Sequence, residues 1–377
     1  MKDNIFLIFM NVPILILLLA LQLITPKITR KEIYFGVRIP EEKLDSDELK
    51  KVYPGFISAN LKVCIPYILI FNVILFFKAQ QAAAIFIAGI LLYALVNTLI
   101  YYYYHKEVIK IKQSNHWDEG KKQIVVVDTE FSKNKSRKML ASKWWFLIPL
   151  ALIALNVIMG FAVYNTLPDR IATHWNVAGE VNGWQRKSYG TIMQLPVVQL
   201  FLVIIMYISY KTIGWAKQQI DTSNPEESKE KNRIFRYAWS VYMILSTILL
   251  TIMFTFMNMI VLGILKIDSK LMLPIILVIT GVMLAGSVYL SVKLGQGGSR
   301  INLSRLHEKK VNSSSKNDDE YWKLGCIYFN HEDPSIFVEK RFGVGWTMNF
   351  GSMGGILVLV GLILAIVLLP VLIKILS

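Results

Sequence analysis

The chain has 377 residues, of which 54% are hydrophobic and only 18% charged, with a mean hydropathy of +0.46 and a formal net charge of +15. Soluble domains run near about 45–50% apolar and about 25% charged, so the composition excludes an ordinary soluble enzyme. The two cysteines, Cys64 and Cys326, give no disulfide framework, and each reads as a small apolar filler.

Apolar runs long enough to cross about 30 Å of hydrocarbon occupy 4–25, 61–78, 81–104, 144–166, 191–212, 238–265, 271–294 and 352–376. The first is too long for a signal-peptide core and is followed by no small-x-small cleavage site, so it reads as a span. After it, Glu32–Ile39 alternates like a short strand, Pro40 stops it, and Glu41–Lys51 reads as a helix with acids first and bases last. A turn near Ala79–Gln80 makes spans two and three a tight hairpin. In the next loop the β-branched run Gln123–Asp128 reads as a strand.

Span four ends in a polar island at 167–187, rich in His, Trp, Asn, Gly and Pro. Thr222–Arg236 is polar without apolar periodicity and reads as a solvated linker that becomes the start of span six. Spans six and seven are joined by a small turn at Lys266–Lys270. Gln296–Lys316 is rich in Gly, Ser, Asn and Lys and reads as a tether. Asn317–Gly351 gathers Tyr321, Trp322, Tyr328, Phe329, Phe337, Phe342 and Trp346. Within it, Cys326–Asn330 and Ile336–Arg341 flank His331–Ser335, which reads as a β-hairpin with an Asp-Pro turn. Phe35-Gly36-Val37 and Phe342-Gly343-Val344 share a tripeptide that is too short to establish a repeat.

The basic charge alternates loop by loop. Lys and Arg number 7 in residues 26–60, 10 in 105–143, 6 in 211–237 and 9 in 292–349; with Lys62 that side holds 33 of 41. This is the positive-inside pattern. It reports orientation and attraction to anionic lipid rather than nucleic-acid binding. It places the chain in the cell membrane as a multi-pass protein with both termini and the island extracellular. The strand-bearing loops then lie together in the cytoplasm and predict a small β-containing cap. The expected fold is all-α and polytopic, with about eight transmembrane helices beneath that cap. Its expected divisions are 1–143 (three spans), 144–295 (spans four to seven), 296–351 (tether and aromatic domain) and 352–377 (last span).

In the island, Pro168 ends the helix, Gly179 and Gly183 suit turns, and Trp175 and Trp184 suit a membrane–water boundary. His174 and Asn176, two apart, share a face if the segment is extended. This fits either a recognition surface or a stable surface hairpin. Neither His174 with Asp169 or Glu180, nor His331-Glu332-Asp333, supplies a closed zinc set, and no metal or cofactor is expected. The spans carry Asn11, Asn72, Asn97, Asn156, Gln199 and Asn258 but no ionisable group in their interior, which disfavours an ion-coupled transporter. Those polar residues read as interhelical hydrogen-bonding groups, and Gly351-x-x-x-Gly355 with Gly361 as close helix packing. No nucleophile elbow, His-Glu-x-x-His or Walker loop is present, so an enzyme is not expected. Asp128-Thr129 and Asp318-Asp319-Glu320 read as solvated loop contacts.

The pattern Leu167-Pro-x-x-Ile171-x-x-His174-Trp-Asn176-x-x-Gly179-x-x-x-x-Trp184-x-x-Lys187 resembles the signature loop of the Sdp-immunity-like (SdpI-type) membrane proteins of Gram-positive bacteria, over roughly residues 145–192. The 34–42 and 318–349 stretches resemble uncharacterised domains that accompany it. The resemblance implies a non-enzymatic immunity or sensor protein that meets an extracellular peptide or envelope-active compound and a cytoplasmic regulatory protein. The expected outer recognition residues are Pro168, His174, Trp175, Asn176, Gly179, Trp184 and Lys187. Phe35, Gly36, Arg38, Tyr321, Trp322, Asn330, Asp333, Pro334, Arg341 and Trp346 are the expected contacts for an inside partner. The chain departs from the smaller immunity protein in its eight spans and extra cytoplasmic domain. The membrane subunit of an exporter is the second expected role.

Overall fold

A computed structural model describes residues 2–77, 82–117, 139–176, 179–221, 224–267, 271–303 and 318–376. Among the described residues eight helices carry the fold: α1 (Lys2–Ile28), α2 (Asp47–Phe77), α3 (Ala82–Ser114), α4 (Leu147–Val163), α5 (Tyr189–Trp215), α6 (Pro225–Val261), α7 (Met272–Leu294) and α8 (Met353–Leu376). Seven are long and apolar enough to cross a membrane. The 24 residues of α8 reach about 36 Å at 1.5 Å per residue, which also suffices. The chain is therefore a multi-pass membrane protein. Its flanks agree: Leu69, Leu91 and Val278 are each more than 60% exposed along their helices, a surface that water would not tolerate but lipid solvates.

The helices form two packed groups. In the first, α1 and α3 pack on α2, around Leu15, Cys64, Phe71, Leu75 and Tyr93. In the second, α4, α5 and α6 pack mutually, α7 leans on α6 and α8 on α5. All six polar residues singled out within the spans are buried. Asn11 donates to Asn72 at 3.1 Å. Asn156 donates to Gln199 at 2.7 Å and to Thr255 at 2.9 Å, and accepts from Asn258 at 3.4 Å. In hydrocarbon such groups have no water to turn to, so they bond to one another.

Among the described residues four two-stranded antiparallel sheets complete the fold. One, β3 (Arg170–Trp175) with β4 (Val181–Arg186), closes the end where α4 meets α5. The other three, β1 (Ile33–Tyr34) with β2 (Val37–Arg38), β5 (Trp322–Lys323) with β6 (Ile327–Tyr328), and β7 (Phe337–Glu339) with β8 (Trp346–Met348), gather at the opposite end as the cap. Exposed tryptophans mark both ends: Trp184 in the hairpin, and Trp144, Trp145 and Trp215 toward the cap. Trp favours the membrane–water interface, so these rings bracket the hydrocarbon layer.

Several sequence expectations are corrected. Glu32–Ile39 is a tight hairpin, because Phe35 and Gly36 take left-handed backbone angles (φ 46° and 77°) and turn the chain after two residues. Glu41–Lys43 is a single 3-10 turn, and the next helix starts at Asp47 and runs unbroken through the second span. The polar stretch before span six does become the start of that helix, but it is not solvated throughout: from Pro225, capped by Asn224, it is the first turns of α6 and buries Asn232 and Arg236. The Asp333-Pro334 turn does not join paired strands, since β6 pairs back to β5 and β7 forward to β8. Gln296, Gly297 and Gly298, expected in a tether, are buried. A side chain at Gly351 or Gly355 would strike the backbone of Asn330 or Asn349, so these glycines seat α8 against the cap, while a Cβ at Gly361 would meet no described atom within 4 Å. Gln123–Asp128, Asp128-Thr129 and the Ala79–Gln80 turn lie outside the described residues, as do Asp268–Lys270 and most of 296–316.

Candidate functional site

At the hairpin end, β3 and β4 pair from Arg170↔Arg186 to Trp175↔Val181, with irregular register on both sides of His174. Gly183 lies opposite His174, and a Cβ there would sit 2.7 Å from the histidine's own Cβ. The glycine thus makes room for His174, whose Nδ1 bonds the Asn182 side chain. Asn176 closes the turn: its Nδ2 donates to Glu180 Oε2 and its Oδ1 accepts from the Glu180 amide, both at 2.9 Å. Lys187 does not face outward as a free recognition group. Its Nζ donates to the Leu167 carbonyl at 3.0 Å and lies 5.0 Å from the centre of the Tyr164 ring, fastening the hairpin base to the end of α4. Leu167, Ile171, Ile192 and Leu262 form a small core beneath that base. Pro168 follows the helix end and is exposed, as Trp184 is.

Under the hairpin lies a cavity of about 450 Å³, within the range of small-molecule sites. Thr173, His174, Trp175, Asn176 and Gly179 form its hairpin wall, and Thr191 and Gln194 add a polar edge. Its depth is apolar, with Val198, Met257 and Ile276 among the lining residues of α5, α6 and α7. The Nε2 atom of Gln194 is buried with no hydrogen-bond partner. Five of the seven outer residues expected from the sequence thus divide clearly: His174, Trp175, Asn176 and Gly179 line one cavity, and Lys187 is a clamp. Gln194 was missed, because a glutamine in the first turns of an apolar helix has no local signature.

The cap is built on charge. Glu339, on β7, is fully buried. Its Oε2 accepts from Arg30 at 2.5 Å, and its Oε1 accepts from Asn232 at 2.5 Å and Arg236 at 3.1 Å. Burial alone would push this carboxyl up, but Arg30 and Arg236 outweigh it and hold it below the usual glutamate range. A second cluster joins Asp318 to Arg38 and Arg341 at 3.0 Å each, and Asp319 to Arg341 and to Lys112 at 2.7 Å. These aspartates, expected as solvated contacts, are half-buried ion-pair partners. A third group joins Asp333 to Lys217 at 2.8 Å and to Tyr328 at 2.9 Å. Buried Asn349 takes the Asn330 amide at 3.0 Å and donates to its carbonyl at 2.8 Å.

The residues expected to meet an inside partner are therefore mostly committed within the chain. Phe35, Gly36, Trp322, Asp333 and Arg341 are buried, and Arg38, Tyr321, Asn330 and Trp346 are half-buried. Pro334 is exposed. Gly36 and Gly325 touch tip to tip over Tyr101 and His105 of α3; a Cβ on Gly36 would lie 2.5 Å from the Gly325 carbonyl oxygen. The two Phe-Gly-Val tripeptides meet as well, with the Phe35 and Phe342 rings stacked 6.2 Å apart. Glu339, Arg236, Asn232 and Gln296 were missed as a group. An acid ending the apolar stretch 336–338 and an arginine just before the apolar part of α6 were their only signals. Among the described residues no cluster of His, Cys, Asp or Glu has the makings of a metal site.

Residues 151–200 match a domain of unknown function (DUF1648), and residues 331–356 match a family of unknown function (DUF5808). The first covers most of α4, the hairpin and the first half of α5; the second covers β7, β8 and the start of α8. No curated protein and no solved structure matches the chain.

Proposed function

We propose that this chain is a non-enzymatic sensor or immunity protein of the cell membrane, with its hairpin outside and its cap in the cytoplasm. The observation that carries the reading is the cavity walled by His174, Trp175, Asn176 and Gly179. It is a built recess with a polar rim and apolar depth, the usual form of a ligand site. The resemblance of this loop to the SdpI-type signature supports the same role, as does the excess of basic residues toward the cap.

The route inward is α6. It lines the cavity at Met257 and Val261, joins the buried polar network at Thr255, and ends in the cap at Arg236 and Asn232. Thirty-seven residues of helix extend about 56 Å, enough to connect the two faces. An occupant of the cavity that favours one position of α6 biases the Glu339 contacts of the cap. The exposed cap residues Pro334, Phe329 and Ile336 offer the inside partner its surface.

The test compares cells with and without the protein for survival against peptide toxins and membrane-active antibiotics. Protection is expected to fall at least tenfold in the His174→Ala/Asn176→Ala double variant at equal protein level. Undiminished protection in that variant rules out recognition by the hairpin.

A further inference from the structure

We infer that Arg170 and Arg186, paired across the outer face of the hairpin, bind a phosphate group, with both guanidinium forks on one tetrahedral anion. The inference goes beyond the sensor reading and does not use the cavity, which neither arginine lines.

The pair is an arrangement that a bare hairpin disfavours. Arg170 and Arg186 are direct cross-strand partners, and like charges directly opposite each other destabilise a sheet. Side chains alternate between the two faces of a strand. Ile171 is buried in the small core under the hairpin, whereas Arg170, Trp184 and Arg186 are exposed on the other face. Among the described residues neither guanidinium has a hydrogen-bond or ion-pair partner, so Asp169, the acid nearest in sequence, does not neutralise them. Glu180 is tied to Asn176 at the tip, and the third cation of the hairpin, Lys187, is held by the Leu167 carbonyl. Arg170 and Arg186 are also the only arginines in the loops assigned to the outer side. Two unneutralised charges held together on one face call for an anion.

The chemistry of the pair selects which anion. One guanidinium fork already satisfies both oxygens of a carboxylate, whereas a phosphate offers oxygens to two forks at once. A phosphate monoester also carries about 1.5–2 negative charges at pH 7, which balances two arginines, while a carboxylate leaves one unbalanced. The 27-residue α5 begins at Tyr189, so the positive end of its dipole adds to the same field. Tyr189 is exposed and stacks on Tyr164 at 4.3 Å, and such rings favour the headgroup level of a bilayer. A lipid headgroup phosphate and a dissolved phosphate ester therefore meet the pair with the same chemistry.

The full-length protein is reconstituted in phosphatidylcholine nanodiscs and given one of two probes. Glycerol 3-phosphate in solution is read by calorimetry against acetate. Phosphatidic acid in the bilayer is read by native mass spectrometry, as lipid retained, against oleate. Phosphate is expected to bind about tenfold tighter than the carboxylate control. Arg170→Gln and Arg186→Gln are each expected to weaken it about tenfold, and the double variant little more, because a bridged anion needs both forks. Arg186→Lys keeps the charge but loses the fork, and is expected to weaken binding about threefold. Lys266→Gln, which removes an exposed charge from another outer loop, is expected to leave it unchanged. The probe whose binding responds to the arginine variants identifies the source.

Both arginines are exposed, so the variants fold. Without phosphate, Arg186→Gln is expected to unfold at the wild-type temperature or above it, since the opposed charges are relieved. Carboxylate bound as tightly as phosphate overturns the inference, as does equal binding in wild type and the double variant. An equal loss in Lys266→Gln, or failure of both probes to bind, overturns it too. Phosphate binding lost in the arginine variants with protection of cells intact leaves the site standing and separates it from the sensor role.

Discussion

The two ends of this molecule stabilise polar residues in opposite ways. At the hairpin the bonds are short in sequence: His174 to Asn182 spans eight residues, and Asn176 to Glu180 spans four. In the cap they are long: Arg30 to Glu339 spans 309 residues, Arg38 to Asp318 spans 280 and Lys112 to Asp319 spans 207. The hairpin is a local object set on the small core of Leu167, Ile171, Ile192 and Leu262. The cap is the place where distant parts of the chain are tied together, and its charges are used up in the tying. An exposed local loop suits recognition, and a buried long-range knot suits assembly and transmission.

The sharpest way to break this contrast is Glu339→Gln. It leaves Arg30 and Arg236 facing a neutral amide at a site with no exposure. Removing one partner of a buried ion pair typically costs about 3–5 kcal/mol. The expected result is a large drop in the thermal unfolding midpoint, with tryptic cleavage appearing within the cap. The triple variant Arg30→Met/Arg236→Met/Glu339→Leu is expected to recover much of the loss, because an apolar triad carries no desolvation penalty. A single variant as stable as wild type means the knot does not hold the cap.

Acid acts on the same knot more gradually. Asp318 is held below the usual aspartate range: burial raises it, but Arg341 and Arg38 lower it further. Asp333 is likewise lowered, with the Lys217 bond and the Ser335 amide outweighing burial, and Glu339 behaves in the same sense. A carboxyl whose folded pKa is depressed contributes stability that is fully present above its unfolded value and lost as pH falls through the folded one. The unfolded values lie near 3.8 for Asp and 4.5 for Glu. The cap is therefore expected to keep its full stability down to about pH 5 and to loosen progressively below about pH 4. Emission from Trp322 and Trp346 in the reconstituted protein follows it. Loosening that begins near neutrality, or none at pH 3, contradicts this assignment.

How much of this was legible in the sequence follows from the same contrast. The spans were readable because twenty apolar residues in a row have one solution in a membrane. The hairpin was readable because Pro168, Gly179 and Gly183 act on their immediate neighbours. The cap was readable only as a cluster of aromatic, strand-like segments. Its pairing was misassigned because register depends on partners elsewhere: β7 turns to β8 through the loop that Gln296 holds by the Lys340 and Gly345 carbonyls. Gln296 itself looked like tether, and Arg236 looked like the solvated margin of a span. Neither carries a local mark of the fully buried acid it serves, directly or through its loop, since burial is a property of the fold.

The smallest expected effect sharpens the contrast from the other side. Asn176→Ala removes two side-chain hydrogen bonds, both at the exposed hairpin tip. At an exposed tip such bonds, the one to the Glu180 carboxylate included, contribute about 1 kcal/mol, since water replaces them. Global unfolding is therefore expected to shift by less than about 1 kcal/mol, far below the Glu339 variant. The local turn is another matter. The Glu180 amide loses its acceptor on Asn176 Oδ1, and a local loss near 1 kcal/mol corresponds to about a fivefold change in opening. Hydrogen exchange at Glu180 is expected to quicken by about that factor while the amides of Phe337 and Glu339 in β7 keep their protection. Exchange that quickens at both ends together means the hairpin and the cap share one cooperative unit. Exchange confined to the hairpin makes the outer end a separately yielding element, which is what a site shaped by its ligand requires.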